Sequence, residues 1–138
     1  MNSYPTYFSS IEKIVPLPFQ AKVRITDTAK KNIEEVVQKN LLLFLREGDV
    51  FLDIGAYVGY YTLLASRKVG KSGVVIAVEP DKKNFKMLLF NTRKLQNVIP
   101  VNAAVYSKNT LLSLLGEGAT TSVGLGEKNL VKAFTLDT

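Results

Sequence analysis

The stretch from Gly48 to Ser66, GDVFLDIGAYVGYYTLLAS, constrains the fold more than any other part of the chain. Its apolar run Val50-Phe51-Leu52, followed by one acid, is typical of a strand buried on both faces of a parallel sheet. After two glycines, apolar residues recur at helical spacing up to Val69. Because the backbone approaches a ligand closely at glycine, and the first N–H groups of a helix are free, this strand–turn–helix segment predicts a ligand site.

The turn between strand and helix contains an acid and two glycines, Asp53, Gly55 and Gly59. A carboxylate at the end of a buried strand is costly without a partner, so we expect Asp53 to bind a polar or cationic group of a ligand. The dinucleotide pattern G-x-G-x-x-G fits poorly, because Tyr57 stands where the second glycine belongs. A turn that binds no ligand is the alternative.

The string DIGAYVGYYT, which starts at Asp53, resembles the FkbM-type family of S-adenosylmethionine-dependent methyltransferases. Its first seven residues match the first motif of class I methyltransferases, an acid and two glycines, but Tyr57 stands where FkbM-type sequences usually have asparagine. The resemblance implies S-adenosylmethionine as cofactor, with its methionine part held by this turn. The cofactor-binding residues that it implies here are Asp53, Gly55, Ala56, Tyr57, Gly59 and Tyr61.

A second predicted strand, Val74–Val78, ends at Glu79-Pro80. An acid about 20 residues past the glycine turn is where such folds bind the two hydroxyls of a ribose, and a carboxylate accepts from both. The alternative is an acid that caps the next helix, but Pro80 and Asp81 already suit that position. The resemblance implies the same ribose contact for Glu79, with Pro80 beside it.

A third predicted strand, Val98–Val101, contains Pro100, which lacks an N–H donor and therefore indicates a sheet edge. The residues after it, Asn102 and Ala103, resemble the family segment that flanks the adenine ring. The resemblance implies that Asn102 contacts the adenine edge and that Ala103 leaves room for the ring. An ordinary loop asparagine is the alternative.

The remaining segments predict an arm over residues 1–27 and one domain over residues 28–138. The arm contains three prolines and one short strand, Ala21–Ile25. Helices are predicted over Ala29–Leu45, as a layer that covers the core, and over Asp81–Gln96.

Leu111–Leu115 and Val131–Leu136 predict an antiparallel hairpin, with a mobile glycine-rich tip from Gly116 to Lys128. The tripeptide Thr135-Leu136-Asp137 matches a family signature. Complete members continue from there into further strands.

The predicted fold class is therefore α/β. It is a Rossmann-like class I methyltransferase half-fold, with parallel strands, helices on both faces and a C-terminal antiparallel hairpin. The first strand, Val50–Ile54, is expected to have one unpaired apolar edge, which predicts a homo-oligomer.

Composition narrows the classes of function. The chain has 138 residues, a net charge of +6, no cysteine and no histidine, so it offers neither a thiol nucleophile nor the commonest general base and metal ligand. We expect no metal site. The basic residues are scattered, which does not favour nucleic-acid binding, and no apolar run approaches membrane-spanning length. A cytoplasmic protein without membrane contact is expected.

The resemblance implies an O-methyltransferase that acts on a hydroxyl of a small molecule or sugar. No catalytic residue is assigned. Two alternatives stay open: a non-catalytic cofactor-binding or assembly module derived from this fold, and an oxidoreductase that uses a nicotinamide cofactor.

Overall fold

The computed structural model describes the backbone of residues 28–115, 122–124 and 129–137, and the side chains of residues 36–115 and 129–137. The helices of this part are α1 (Thr28–Phe44), α2 (Tyr60–Val69) and α3 (Lys82–Thr92). Its strands are β1 (Val50–Ile54), β2 (Val74–Val78), β3 (Val98–Val101), β4 (Ala104–Val105), β5 (Thr110–Leu115), β6 (Ser122–Gly124) and β7 (Leu130–Phe134). The predicted arm, with its short strand, lies outside the described residues.

Strands β1, β2 and β3 form a parallel sheet in the order β1-β2-β3. In this register Leu52 pairs with Ile76, and Ile76 pairs with Ile99. Pro100 lies in β3, which within the described residues is an edge strand of this sheet. The parallel α/β fold and the edge position of Pro100 are therefore confirmed.

One face of this sheet forms the main core. Phe51, Val75 and Val98 occupy one row of the register and pack into the same cluster. The helices add Leu41 from α1, Ala65 and Val69 from α2, and Phe85 and Leu88 from α3, and Leu45 joins them from the residue after α1. We expected helices on both faces, but the three that the structure describes all pack on this one.

On the opposite face of the sheet, side chains of the two outer strands are exposed, although Val78 of the central strand is 7% exposed. Val50, Leu52, Ile54 and Ile99 expose 70%, 39%, 50% and 52% of their surface. The prediction that β1 is buried on both faces is therefore wrong. In the described part of the chain β1 pairs with β2 alone, which agrees with the expected unpaired edge.

Helix α1 covers the core with only part of its apolar surface. It starts and ends one residue earlier than predicted, and Leu41 and Leu45 pack against the core. Val36, Val37 and Phe44 remain 57%, 42% and 71% exposed. The apolar stripe in the sequence is wider than the surface that α1 buries.

Helix α3 ends at Thr92, four residues before its predicted end at Gln96. The Thr92 hydroxyl donates to the carbonyl of Leu88 at 2.8 Å, and the Leu95 N–H donates to the carbonyl of Thr92 at 2.8 Å. This tighter turn closes the helix and leads the chain into β3.

Asn97, which immediately precedes β3, binds the end of helix α2. Its Nδ2 donates to the carbonyls of Ser66 and Gly70 at 2.8 and 2.7 Å. Its Oδ1 accepts from the Ser66 hydroxyl at 2.6 Å. The same two carbonyls also accept from the N–H groups of Gly70 and Gly73 at 3.2 and 3.3 Å, so Asn97 adds a second donor to each at the end of α2.

The second sheet has the order β4-β7-β5-β6 and its own apolar cluster, which includes Leu112, Leu114 and Val131. Strands β5 and β7 are antiparallel, so the predicted hairpin is confirmed. Strands β4 and β6, of two and three residues, were not predicted. Strand β6, which lies within the predicted mobile tip, pairs with β5, and the mobility of the tip stays a prediction. The rest of the tip lies outside the described residues.

Candidate functional site

The carboxyl ends of the three parallel strands meet at one edge of the first sheet. The N–H groups of Gly55 and Ala56 both donate to the carbonyl of Val78, at 2.9 and 3.0 Å. The Glu79 N–H donates to the carbonyl of Val101 at 3.0 Å. The glycine turn, Glu79 and the end of β3 therefore lie side by side, as the sequence predicts.

The two glycines of the turn have different surroundings. Both have positive φ, 76° at Gly55 and 96° at Gly59, a conformation that side chains other than hydrogen rarely allow. A Cβ atom added to Gly55 would have nothing within 4 Å, whereas one added to Gly59 would lie 2.8 Å from Cδ1 of Leu88. Gly55 thus borders open space where a ligand can approach, and Gly59 allows α2 and α3 to pack closely.

Tyr57, between the two glycines, is half-buried and also has positive φ, 54°. Asparagine, which FkbM-type sequences usually have here, adopts this left-handed conformation more readily than tyrosine. The Tyr57 N–H donates to Oε2 of Glu79 at 2.8 Å. This bond joins the glycine turn to the end of β2.

Glu79 is only 4% exposed, and its carboxylate accepts further hydrogen bonds. The Asp81 N–H donates to its Oε1 at 2.9 Å, and Asn84 Nδ2 donates to the same oxygen at 3.4 Å. Burial raises the pKa of Glu79, although these hydrogen bonds and the one from Tyr57 oppose the rise.

Asp81 caps α3, as predicted, by accepting from the N–H groups of Lys83 and Asn84 at 2.9 Å each. The expectation that Glu79 is thereby left free for a ligand is only partly met. Three protein donors already occupy its carboxylate, which has about four acceptor positions.

Asp53 is 7% exposed and has a partner inside the protein. The Thr62 hydroxyl donates to its Oδ2 at 2.5 Å. Burial raises the pKa of Asp53, and the hydrogen bonds from Thr62 oppose the rise. Asp53 therefore fixes the first turn of α2 to β1, and a direct contact with a ligand stays a prediction.

Asn102 uses its side-chain nitrogen to hold the end of β2. Nδ2 donates to the carbonyls of Glu79 at 2.8 Å and Pro80 at 3.1 Å. Donation by Nδ2 to an adenine edge would compete with these bonds, whereas Oδ1 could still accept, so the contact of Asn102 with adenine stays a prediction. Ala103, beside it, is 1% exposed.

Tyr61 lies in the first turn of α2, half-buried, and its ring meets that of Tyr60 edge to face. The ring centroids are 4.9 Å apart and the planes are 88° apart. The predicted site residue Tyr61 thus belongs to an aromatic pair at the start of the helix that follows the glycine turn.

Sequence reasoning missed two side chains that orient the acids, Thr62 and Asn84. Thr62 belongs to the DIGAYVGYYT string, but nothing in the string shows that its hydroxyl reaches nine residues back to Asp53. Asn84 lies five residues after Glu79, in the first turn of α3, and only that spacing indicates a contact.

A groove of about 210 Å³ lies where the start of α3 meets the second sheet. Of the predicted site residues it contains only Pro80. Its lining residues are Pro80, Asp81, Lys82, Lys83, Leu114, Asn129 and Leu130. The groove therefore lies beside the carboxyl ends of the parallel strands, on the side of α3, and is separate from the glycine turn.

The part of the chain that the structure describes has neither a cluster of metal ligands nor a membrane-spanning helix. No group of three or more histidine, cysteine, aspartate or glutamate side chains is arranged to hold a metal ion there. No helix in this part of the chain has the length and apolar character needed to cross a membrane.

The sequence from residue 53 to residue 135 matches the family described as Methyltransferase FkbM domain. The chain belongs to this FkbM family. The match begins at Asp53 and ends at Thr135, so the FkbM region includes the glycine turn, Glu79, Asn102 and the second sheet. Among curated protein sequences, none matches the chain.

Solved methyltransferase structures also resemble this FkbM chain. A precorrin-6y C5,15-methyltransferase from Geobacter metallireducens is 25% identical over 65% of this chain and 48% of its own, with a TM-score of 0.49. TYW2 of M. jannaschii, in complex with AdoMet, is 32% identical over 58% and 35%, with a TM-score of 0.44. A protein-L-isoaspartate O-methyltransferase is 24% identical over 75% and 32%, with a TM-score of 0.48. The FkbM chain thus spans less than half the length of each of these structures.

Proposed function

We propose that this chain is the S-adenosylmethionine-binding part of a methyltransferase that transfers a methyl group to a hydroxyl oxygen of a small molecule or sugar. The observation that carries the proposal is the junction of the glycine turn with Glu79, through the Tyr57 N–H, inside the region that matches the FkbM family. Solved structures with AdoMet and SAH among the similar proteins support the same cofactor.

The residues at the strand ends fit this cofactor. The open space at Gly55 suits the methionine part, because the backbone is accessible there without a side chain. The Glu79 carboxylate suits a ribose hydroxyl, since about one of its acceptor positions remains and the residue lies at the end of the strand next to the turn.

The bound cofactor supplies an activated methyl group on a positively charged sulfur. The contribution of this chain is to bind and orient, because alignment of the reacting groups accounts for much of the rate of such a transfer. Gly55 leaves space for the ligand, and Glu79 fixes the ribose. Thr62 and Asn84 hold the two acids in place.

Titration calorimetry tests the cofactor. We expect heat of binding with S-adenosylhomocysteine and none with NAD, because Tyr57 replaces the second glycine of the dinucleotide pattern. Binding of NAD alone would instead support the oxidoreductase alternative.

Two substitutions test the site. We expect Gly55→Val to abolish binding, because the new side chain fills the space next to the turn. Gly48→Val is the matched control, since Gly48 has a similar φ, 87°, but lies before the amino end of β1. We expect Glu79→Ala to weaken binding by about 1–3 kcal/mol, the scale for a hydrogen bond to a charged acceptor. Unchanged affinity in both site variants would remove this assignment.

An assay of methyl transfer to hydroxylated acceptors separates an enzyme from a non-catalytic module. Binding of the cofactor without transfer to any sugar or small-molecule alcohol would favour the module. Transfer that is lost in Gly55→Val and kept in Gly48→Val would establish the enzyme.

A further inference from the structure

Tyr57 is a bulky side chain in a position that suits glycine or asparagine. Its φ of 54° is one that residues with a Cβ rarely adopt, and it lies between Gly55 and Gly59 in the turn. Strained residues of this kind concentrate at ligand sites, where the surrounding structure holds them. Compared with asparagine, tyrosine adds an aromatic ring at this position.

Hydrogen bonds on either side fix the backbone of Tyr57. Its N–H donates to Oε2 of Glu79 at 2.8 Å. The N–H of Ala56 donates to the carbonyl of Val78 at 3.0 Å, and that of Gly59 donates to the carbonyl of Ala56 at 2.8 Å. Tyr57 is therefore held between the open space at Gly55 and the carboxylate of Glu79.

The proposed cofactor has its positive charge between the two parts that these residues would bind. Its sulfonium sulfur connects the methionine chain, proposed for the turn at Gly55, to the ribose, proposed for Glu79. A residue held between Gly55 and Glu79 is thus placed next to the sulfonium.

The acids near the turn already have protein partners. Asp53 accepts from Thr62 at 2.5 Å, and Glu79 accepts from three donors, including Tyr57 N–H and Asp81 N–H. Both carboxylates are at least nine-tenths buried, with 7% and 4% of their surface exposed. An aromatic ring is the other group in the turn that attracts a cation, because its face carries partial negative charge.

We propose that the ring of Tyr57 contacts the sulfonium of S-adenosylmethionine and selects the charged cofactor over its neutral product. This proposal rests on the proposed function. Methyl transfer removes the positive charge from the sulfur, so the same contact is weaker with S-adenosylhomocysteine. Tyr57 is here a positioning residue, and it takes no part in bond making or breaking.

The test compares the affinities of the two ligands by titration calorimetry, with no turnover involved. In Tyr57→Leu we expect the affinity for S-adenosylmethionine to fall about two- to fivefold more than that for S-adenosylhomocysteine, the scale of a cation–π contact. Tyr57→Phe retains the ring and should keep the wild-type ratio. Tyr57→Asn, which relieves the backbone strain, should lower the ratio of the two affinities as much as Tyr57→Leu does.

Tyr106→Leu is the matched control, because Tyr106 is 40% exposed and joins the second sheet through its N–H bond to the carbonyl of Phe134. It should leave both affinities unchanged. Equal losses for the two ligands in Tyr57→Leu and Tyr57→Asn would overturn the proposal while leaving the proposed function intact. A wild-type protein that binds neither ligand would overturn both.

Discussion

Two buried carboxylates define the chemistry of the site, and both accept hydrogen bonds from protein donors, including the Tyr57 N–H bond to Glu79. Thr62 binds Asp53, and Asp81 and Asn84 bind Glu79. Burial raises the pKa of each acid above its ordinary value, 3.8 for Asp53 and 4.5 for Glu79. The folded protein therefore holds these protons more tightly than the unfolded chain does.

This difference predicts how stability depends on pH. Between the ordinary and the raised pKa, the native state binds more protons than the unfolded state, so the free energy of unfolding falls as the pH rises through that window. Asp53→Asn removes one of the two groups. We expect this fall as the pH rises above the ordinary pKa values, measured by urea denaturation, to be smaller in Asp53→Asn than in the wild type. An equal fall in both proteins would show that burial of Asp53 does not control it.

At the scale of elements, the glycine turn combines a site for a ligand with a contact between helices. We expect Gly59→Ala to destabilise the protein by about 1–3 kcal/mol, because the added methyl group meets Leu88 as well as a strained φ. Gly55→Ala carries the strain but no clash, so its cost should be smaller. Thermal unfolding of the two variants measures the difference.

Leu88→Ala provides the control for this comparison. In the Leu88→Ala background the methyl group that Gly59→Ala adds no longer meets Leu88 Cδ1. The loss of stability caused by Gly59→Ala should therefore become nearly as small as that caused by Gly55→Ala. If Gly59→Ala destabilises the Leu88→Ala protein as much as the wild type, the loss of stability comes from backbone strain alone.

The elements that the sequence predicted well are those with a strong local pattern. The β1–turn–α2 segment follows from its glycines and apolar spacing, and the place of Glu79 follows from the strand before it. Strands β4 and β6 are too short for a pattern. The exposed face of β1 was not predictable, because an apolar run looks the same whether or not another element covers it.

The site could be predicted as a location but only partly as a set of contacts. Glycine and acid positions along the chain indicate which strand ends meet. Whether Glu79 is free or bound depends on where the N–H groups of Tyr57 and Asp81 point, which is a property of the folded turn. The side-chain donors Thr62 and Asn84 could not be predicted either, because their directions are also a property of the folded chain.

At the scale of the whole molecule, the exposed apolar side chains of β1 and its unpaired edge within the described residues favour association with a second copy. An antiparallel pair of two β1 strands would place Val50 opposite Ile54 and Leu52 opposite its own copy, all on the exposed apolar face. The one charge of the strand, on Asp53, is buried on the other face, so nothing charged on the exposed face opposes this pairing.

Sedimentation at micromolar concentration tests this proposal. We expect the wild type to sediment as an oligomer and Leu52→Lys as a monomer, because a lysine at the centre of the edge opposes pairing. Leu89→Lys is the control, since Leu89 is similarly exposed, at 41%, but lies on α3. A wild-type protein that remains a stable monomer would rule out the association.

The hydrogen bonds of Asn97 have a consequence for the time course of synthesis. Helix α2 ends at Val69, but the side chain that completes its last turn comes 31 residues after Ser66 and 27 residues after Gly70. A ribosome adds about 5–20 residues per second, so the end of α2 leaves the tunnel on the order of seconds before its partner. During that interval the carbonyls of Ser66 and Gly70 can accept only from the N–H groups of Gly70 and Gly73, which lie at 3.2 and 3.3 Å in the folded chain. The second hydrogen bond to each carbonyl, from Asn97, forms only when the residues that lead into β3 have also emerged.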